Sequence, residues 1–133
     1  MITADRPARS AAKSGRTIDQ VLESARERIV RLTPSEAEEA WRAGAVLVDI
    51  RPATQREAEG VLPQALIIER NVLEWRLDPS SDARLAIAGY DLQVIVVCQE
   101  GYTSSLAAAS LQDLGIHRAT DVIGGYAAWR ELL

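Results

Sequence analysis

An apolar run that ends in the chain's only cysteine constrains this sequence most strongly. The four residues Val94–Val97 are all β-branched, and Cys98 follows them directly. Such a run predicts a strand buried on both faces, as occurs where helices cover both sides of a parallel sheet. An alanine-rich segment then predicts a helix that ends at Gly115, with Ser104 or Ser105 as its N-cap. The order of strand, loop and helix therefore places Cys98 at the carboxyl end of a parallel strand.

The loop that follows Cys98 predicts a site for a nucleophilic sulfur. Amides at a helix N-terminus carry the positive end of the helix dipole, and they stabilise a thiolate over a thiol. A loop from Cys98 to Thr103 whose amides point inward would also hold an anion. The alternative is that Cys98 is a small buried residue that ends a core strand, which is a common role for a free cysteine.

Four segments, in this order along the chain, resemble motifs of the rhodanese-type sulfurtransferases. Val46–Arg51 is similar to that family's first core strand and its Asp-x-Arg turn, and Gly60–Ala65 is similar to its Gly-His-Ile-Pro-Gly-Ala turn. Cys98–Ser104 and Gly124–Trp129 are similar to its active-site half. The resemblance implies an α/β fold of three layers, with about five mainly parallel strands and helices on both faces.

The same resemblance implies an activity. Cys98 would accept a sulfane sulfur as a persulfide and pass it to a thiol or to cyanide, with no metal and no cofactor. The substrate-binding residues would be those of the loop: Gln99, Glu100, Gly101, Tyr102, Thr103 and Ser104. The implied partners are a small sulfur donor and a thiol acceptor, which can be the thiol of a protein.

Two loop positions depart from the family pattern. Thr103 stands where many single-domain members carry arginine, and Glu100 is an acid where thiosulfate-using members often carry a base. A carboxylate beside an anion site repels a dianion, so thiosulfate is an uncertain donor. A second hypothesis follows, in which the chain is a non-catalytic rhodanese-like module that binds a partner or senses redox state. The related cysteine-dependent phosphatases are excluded, because Ser104 occupies the position of their phosphate-clamping arginine.

Two further groups of residues are candidates for roles around the loop. Asp49 and Arg51 lie at the end of a predicted strand, and we favour a supporting ion pair or loop brace over direct catalysis. The segment after residue 69 is rich in large and charged side chains, and three of them are candidates for the rim of the pocket: Arg70, Trp75 and Arg76. The alternative is that its apolar residues pack in the core while its arginines are solvated.

The chain divides into three parts. Residues 1–16 predict a flexible tail, with a targeting presequence as the alternative, because they are basic and poor in apolar residues. Residues 17–28 predict an additional amphipathic helix that begins with a capping box at Thr17 and covers the domain or binds a partner. The resemblance implies that residues 29–133 form a rhodanese-like domain.

Several local signals predict elements within that domain. Thr33 and Asn71 are predicted N-caps. We expect strands at 29–32, 65–68 and 121–123, core positions for Tyr126 and Trp129, and a surface position for His117.

The overall composition excludes several other functions. A net charge of −4 and an isoelectric point near 5.0 argue against a nucleic-acid surface. One cysteine and one histidine leave a metal without its usual ligands. No apolar run approaches the roughly 20 residues that a membrane span requires. We therefore expect a cytoplasmic protein in a reducing compartment.

Overall fold

The computed structural model describes residues 15–133, so nearly all of the predicted tail lies outside the described residues. The helices are α1 (Ile18–Glu27), α2 (Pro34–Arg42), α3 (Ala53–Glu59), α4 (Leu73–Leu77), α5 (Thr103–Asp113) and α6 (Gly125–Arg130). The strands are β1 (Val46–Asp49), β2 (Leu66–Ile67), β3 (Val94–Val97) and β4 (Thr120–Asp121). A 3₁₀ turn, Arg70–Val72, leads into α4.

The four strands form one parallel sheet in the order β2-β1-β3-β4. The predicted α/β fold is confirmed, with four strands where about five were expected. The strand expected at 29–32 is reduced to a single parallel bridge between Leu32 and Val122. It cannot extend further, because Thr33 is already the N-cap of α2 and Pro34 begins the helix.

Both faces of the sheet are covered, which gives the three predicted layers. Val94 and Val96 of β3 pack in one hydrophobic cluster, and Ile95 and Val97 pack in a second cluster on the opposite face. All four side chains are fully buried, as the apolar run predicted. Tyr126 and Trp129 lie in the second cluster, so their predicted core positions are confirmed.

Threonine caps set where the first two helices begin. Thr17 and Thr33 each accept a hydrogen bond from the backbone N–H three residues on, and the side chain at that position accepts one in return. The capping box predicted at Thr17 and the N-cap predicted at Thr33 are therefore confirmed, and each is worth about 1 kcal/mol. The predicted cap at Asn71 is wrong. Asn71 lies within the 3₁₀ turn, and α4 begins at Leu73 without a side-chain cap.

Helix α1 lies against α5, the helix that follows the cysteine loop. Arg28, the C-cap residue of α1, pairs with Asp113 of α5 at 2.5 Å on the surface of this contact. The additional helix therefore covers its own domain. None of the helices between residues 15 and 133 is long and apolar enough to cross a membrane.

Candidate active site

Cys98 lies at the carboxyl end of the central strand β3, in the first turn of a curled loop. Two backbone N–H groups donate to its Sγ, from Gly101 at 3.2 Å and from Ser104 at 3.4 Å. The residue is a free cysteine, 5% exposed, and it lines an open cavity of about 550 Å³. The sulfur is thus held by inward amides and faces a space that a small molecule can enter.

Two glycines make this loop possible. Gly101 has φ +84°, and a Cβ there would lie 2.8 Å from the backbone N of Gly124. A Cβ on Gly125 would collide with the carbonyl oxygen of Cys98. With both Cβ atoms absent, the N–H groups of Tyr126 and Ala127 bond the carbonyls of Cys98 and Gln99 at 2.8 and 2.9 Å. The start of α6 therefore holds the loop from below.

The serines after the loop do not cap α5, so that prediction is wrong. Helix α5 begins at Thr103, and its N-cap position is Tyr102, which makes no capping bond. The hydroxyls of Ser104 and Ser105 donate instead to Oδ2 of Asp121, at 2.7 and 2.8 Å. Asp121 of β4 is fully buried and paired with Arg31, and its carboxylate is a stronger acceptor than any position at the helix terminus offers.

Two arginines that the sequence reasoning did not single out hold the outer side of the loop. Arg26 of α1 donates to the carbonyl of Gly101 at 2.7 Å, and Arg31 donates to the same oxygen at 2.9 Å. Arg31 also forms a bidentate ion pair with Asp121. Arg26 bonds Ser105 Oγ at 3.1 Å and lies over the ring of Tyr102. No local pattern reveals contacts across 70 or more residues of sequence.

Asp49 and Arg51 form a buried ion pair beside the loop. Nη2 of Arg51 lies 2.8 Å from Oδ2 of Asp49, and Nη1 donates to Oε1 of Gln99 at 3.0 Å. Nη2 also donates to the carbonyl of Gly60, and the guanidinium stacks on Tyr126, 4.1 Å from the ring centre. These contacts have the geometry of a loop brace, and the supporting role in catalysis stays a prediction.

The rim of the cavity comes from other elements than expected. Of the predicted loop residues, Gln99, Glu100, Tyr102 and Thr103 line the cavity, while Gly101 and Ser104 contribute amides beneath it. The rest of the lining comes from the turn after β1, from α3 and from α6: Ile50, Arg51, Pro52, Gln55, Glu59, Ala127 and Arg130. Arg130 donates to Glu59 across the opening at 3.2 Å.

The three residues predicted for the rim lie elsewhere, so we correct that prediction. Arg70 pairs with Glu74 at 2.9 Å, and Arg76 donates to the carbonyl of Ala83 and lines a separate apolar groove beside β2. Trp75 is largely exposed. The segment lies here because α4 packs on α5, where Ser110 donates to the Glu74 carboxylate at 2.6 Å.

The side chains that could bind a metal ion do not form a cluster in the described part of the chain. His117 is exposed and contacts Asp91 at 2.9 Å, so its predicted surface position is confirmed. In the part of the chain that the structure describes, no three His, Cys, Asp or Glu side chains lie close enough together to hold a metal ion.

Comparison with known proteins identifies relatives for most of the chain. Residues 33–132 match the model of the rhodanese-like domain family. The chain is 34% identical over 84 residues to the adenylyltransferase and sulfurtransferase MOCS3-2 of Zea mays; this match covers 63% of the chain but only 17% of the maize protein. It is 29% identical over 100 residues to the thiosulfate sulfurtransferase GlpE of Pseudomonas savastanoi, covering 75% of the chain and 86% of that enzyme.

Solved structures also resemble this chain in fold. A Rhodopseudomonas palustris protein, described as of unknown function and a possible tyrosine phosphatase, superposes with a TM-score of 0.79 at 32% identity over 88% of this chain and 91% of its own. The human single-domain sulfurtransferase TSTD1 superposes with a TM-score of 0.62 at 26% identity, covering 78% of this chain and 96% of its own.

Proposed function

The chain belongs to the rhodanese-like domain family, and on that premise we propose that it transfers sulfane sulfur through a persulfide on Cys98. The single observation that carries the proposal is the pair of backbone N–H groups, from Gly101 and Ser104, that point at Sγ. A thiolate and a terminal persulfide sulfur are both anions, and preorganised amides stabilise an anion without reorganising during the reaction.

The proposed reaction has two steps. The Cys98 thiolate attacks the outer sulfur of the donor, so that a bond forms from Sγ to this sulfur while the donor's sulfur–sulfur bond breaks. The electron pair of that bond leaves with the donor remnant, which is sulfite from thiosulfate or a thiolate from an organic hydropersulfide. An acceptor thiolate or cyanide then attacks the outer sulfur of the persulfide and restores the Cys98 thiolate. Neither step needs an external oxidant or reductant.

The charges around the opening favour an organic hydropersulfide over thiosulfate as the donor. Of the two arginines that line the cavity, Arg51 is buried against Asp49, and Arg130 is paired with Glu59. Glu100 adds a further negative charge to the lining. The two negative charges of thiosulfate lie on the reacting group, whereas the hydropersulfide group of an organic donor carries at most one, so repulsion of the reacting group at this opening is larger for thiosulfate.

A phosphatase activity finds no support at this loop. Phosphate transfer of that type requires an arginine whose guanidinium clamps the anion from within the loop. Residues 99–104 contain none, and Arg26 and Arg31 bind the outer face of the loop at the Gly101 carbonyl.

We further propose a reducing compartment such as the cytoplasm, because the reaction starts from a reduced Cys98.

The experiment is a mass measurement on the reduced protein. The protein is treated in turn with thiosulfate, inorganic polysulfide and glutathione persulfide, and its intact mass is recorded before and after cyanide. We expect one added sulfur atom that cyanide removes, and the Cys98→Ser variant should gain none. If no donor adds a cyanide-labile sulfur at Cys98, the enzyme hypothesis is rejected in favour of the non-catalytic module.

A further inference from the structure

Helix α1 lies ahead of the segment that matches the family model, yet it contacts the active-site loop directly. The matched segment begins at residue 33, whereas α1 ends at Glu27. Arg26, in the last turn of this helix, contacts the loop and the first turn of α5 at three points. Its Nη2 donates to the Gly101 carbonyl, its Nε donates to Ser105 Oγ, and its guanidinium lies 5.5 Å from the ring centre of Tyr102.

The bond to Gly101 matters because of the peptide units that meet at this residue. The N–H of Gly101 donates to Sγ of Cys98, and its carbonyl points the opposite way, toward the two guanidinium groups. A partly buried carbonyl needs a donor, and here two charged donors hold it outward. As long as this carbonyl faces outward, the following backbone turns into α5 with the Ser104 amide directed at the sulfur.

From these contacts we propose that Arg26 is a positioning residue of the active site, which keeps the Gly101 and Ser104 amides directed at Cys98. Arg31 acts on the same oxygen, but it is also tied to the buried carboxylate of Asp121. Arg26 is therefore the member of the pair that can be changed without leaving a buried charge unpaired. The proposal extends the sulfur-transfer function proposed above, although its test does not depend on that function.

The chain offers a matched control on the same helix. Arg28 is also an arginine of the α1 C-terminal region, but it points to the surface and pairs with the exposed Asp113. Both Arg26→Ala and Arg28→Ala remove one positive charge, and both remove contacts with α5 or the loop before it. Only the first removes a donor from the Gly101 carbonyl.

The test compares wild type, Arg26→Ala, Arg26→Lys and Arg28→Ala by two readouts. The first is the rate of Cys98 alkylation by iodoacetamide from pH 5 to pH 9, which needs no sulfur donor. The second is steady-state sulfur transfer, with kcat and KM separated.

We expect Arg26→Ala to lower kcat by about 10-fold or more while changing the donor KM by less than about threefold, because the amides act on the anionic sulfur rather than on donor binding. We also expect its alkylation profile to differ from that of wild type, because the Gly101 and Ser104 amides would no longer contact Sγ in the same geometry. The kcat and the alkylation profile of Arg26→Lys should lie between those of wild type and Arg26→Ala, since an ammonium keeps the charge but cannot donate to two acceptors in the geometry of the guanidinium. Arg28→Ala should match wild type within about twofold.

The outcomes separate this proposal from the one it extends. If Arg26→Ala and Arg28→Ala give the same alkylation profile, the positioning role is wrong, whether or not sulfur is transferred. If the wild type transfers no sulfur but the two variants differ in alkylation, the positioning role holds and the sulfurtransferase proposal fails. Should Arg26→Ala not fold, Arg26→Lys decides, and a profile equal to that of wild type would overturn the proposal.

Discussion

Arg51 and Asp49 are two residues apart in sequence, and their side chains form an ion pair that is almost completely shielded from solvent. Both Nε and Nη2 of the arginine donate to the carboxylate, and the backbone N–H of Arg51 donates to it as well. The arginine reaches from there to Gln99 in the loop and to the Gly60 carbonyl. One buried pair therefore joins the end of β1 to the loop after β3.

The Arg51→Met substitution should destabilise the protein by about 3–5 kcal/mol, because it leaves the Asp49 carboxylate buried and unpaired. The double variant Arg51→Met with Asp49→Asn should recover part of this loss, since a neutral amide costs less to bury. Urea unfolding measures both. The exposed pair of Arg42 with Glu38 serves as the control, and Arg42→Met should cost less than about 1 kcal/mol. A single variant no worse than this control would contradict the prediction.

Gly101→Ala should damage both stability and the sulfur site. Its Cβ would meet the backbone N of Gly124 at 2.8 Å and the carbonyl of Val122 at 3.0 Å, in addition to the strain of φ +84°. Gly44 is the matched control, because it also has positive φ, at +112°, but no atom lies within 4 Å of its Cβ position. Thermal unfolding and Cys98 alkylation should show a loss of about 1–3 kcal/mol for Gly44→Ala with normal alkylation, and a larger loss with altered alkylation for Gly101→Ala. Equal behaviour of the two variants would show that the close approach around Gly101 is easily relieved.

Glu100→Lys should raise the kcat/KM for thiosulfate by roughly fivefold to tenfold at low ionic strength, because it replaces repulsion at the cavity by attraction. The gain should shrink as salt approaches 0.5 M, where charges are screened within about 5 Å. The same charge change at the exposed Glu39 of α2, away from the cavity lining, should have little effect. A gain that is insensitive to salt, or that Glu39→Lys reproduces, would argue against this electrostatic explanation.

Glu74 links stability to pH. Burial raises the pKa of this carboxyl, but hydrogen bonds from Ser110, from its own backbone and from Arg70, together with the Arg70 charge, outweigh burial and lower the pKa below its ordinary value of 4.5. Because the folded pKa is below the unfolded one, the group stabilises the fold above pH 4.5, and this contribution is lost as pH falls through the folded pKa.

Ser110→Ala tests this linkage. The variant should be less stable than wild type by about 1–2 kcal/mol at pH 7, because a hydrogen bond to a charged group is lost. This difference should narrow on acidification below pH 4.5, as the wild-type carboxylate is also protonated. Urea unfolding of both proteins between pH 7 and pH 3 measures the difference. A difference that stays constant over this range would mean that Ser110 stabilises the fold without favouring the Glu74 anion.

The features that sequence predicted well are those that depend on neighbouring residues. The four β-branched residues of β3 specify a doubly buried strand because their own side chains supply the apolar surface on both faces. The capping boxes at Thr17 and Thr33 close within three residues. The position of Cys98 at the end of β3 is predicted by the same apolar run, because the cysteine follows it directly and precedes the loop to the next helix.

The features that sequence missed depend on partners distant along the chain. Serine is a residue type typical of helix N-caps, but the hydroxyls of Ser104 and Ser105 donate to Asp121, which lies 17 and 16 residues further on. Arg26 is separated from the Gly101 carbonyl by 75 residues, so its helical pattern indicates only a polar face. The predicted rim is wrong for the same reason, since the cavity is lined by residues of α3 and α6 together with the loop, and no local signal encodes this combination.

Arg26 and Arg31 both lie before the segment that matches the family model, and this position matters for the design of shortened variants. A gene trimmed to the family boundary at residue 33 would still encode the sheet, Cys98 and the helix that follows its loop. The shortened product would lack both guanidinium groups that hold the Gly101 carbonyl, and the Asp121 carboxylate would lose its counter-ion. Under the proposed function, sulfur transfer by such a fragment should be slower than that of the 133-residue polypeptide, although the fragment would contain every residue of the cysteine loop itself.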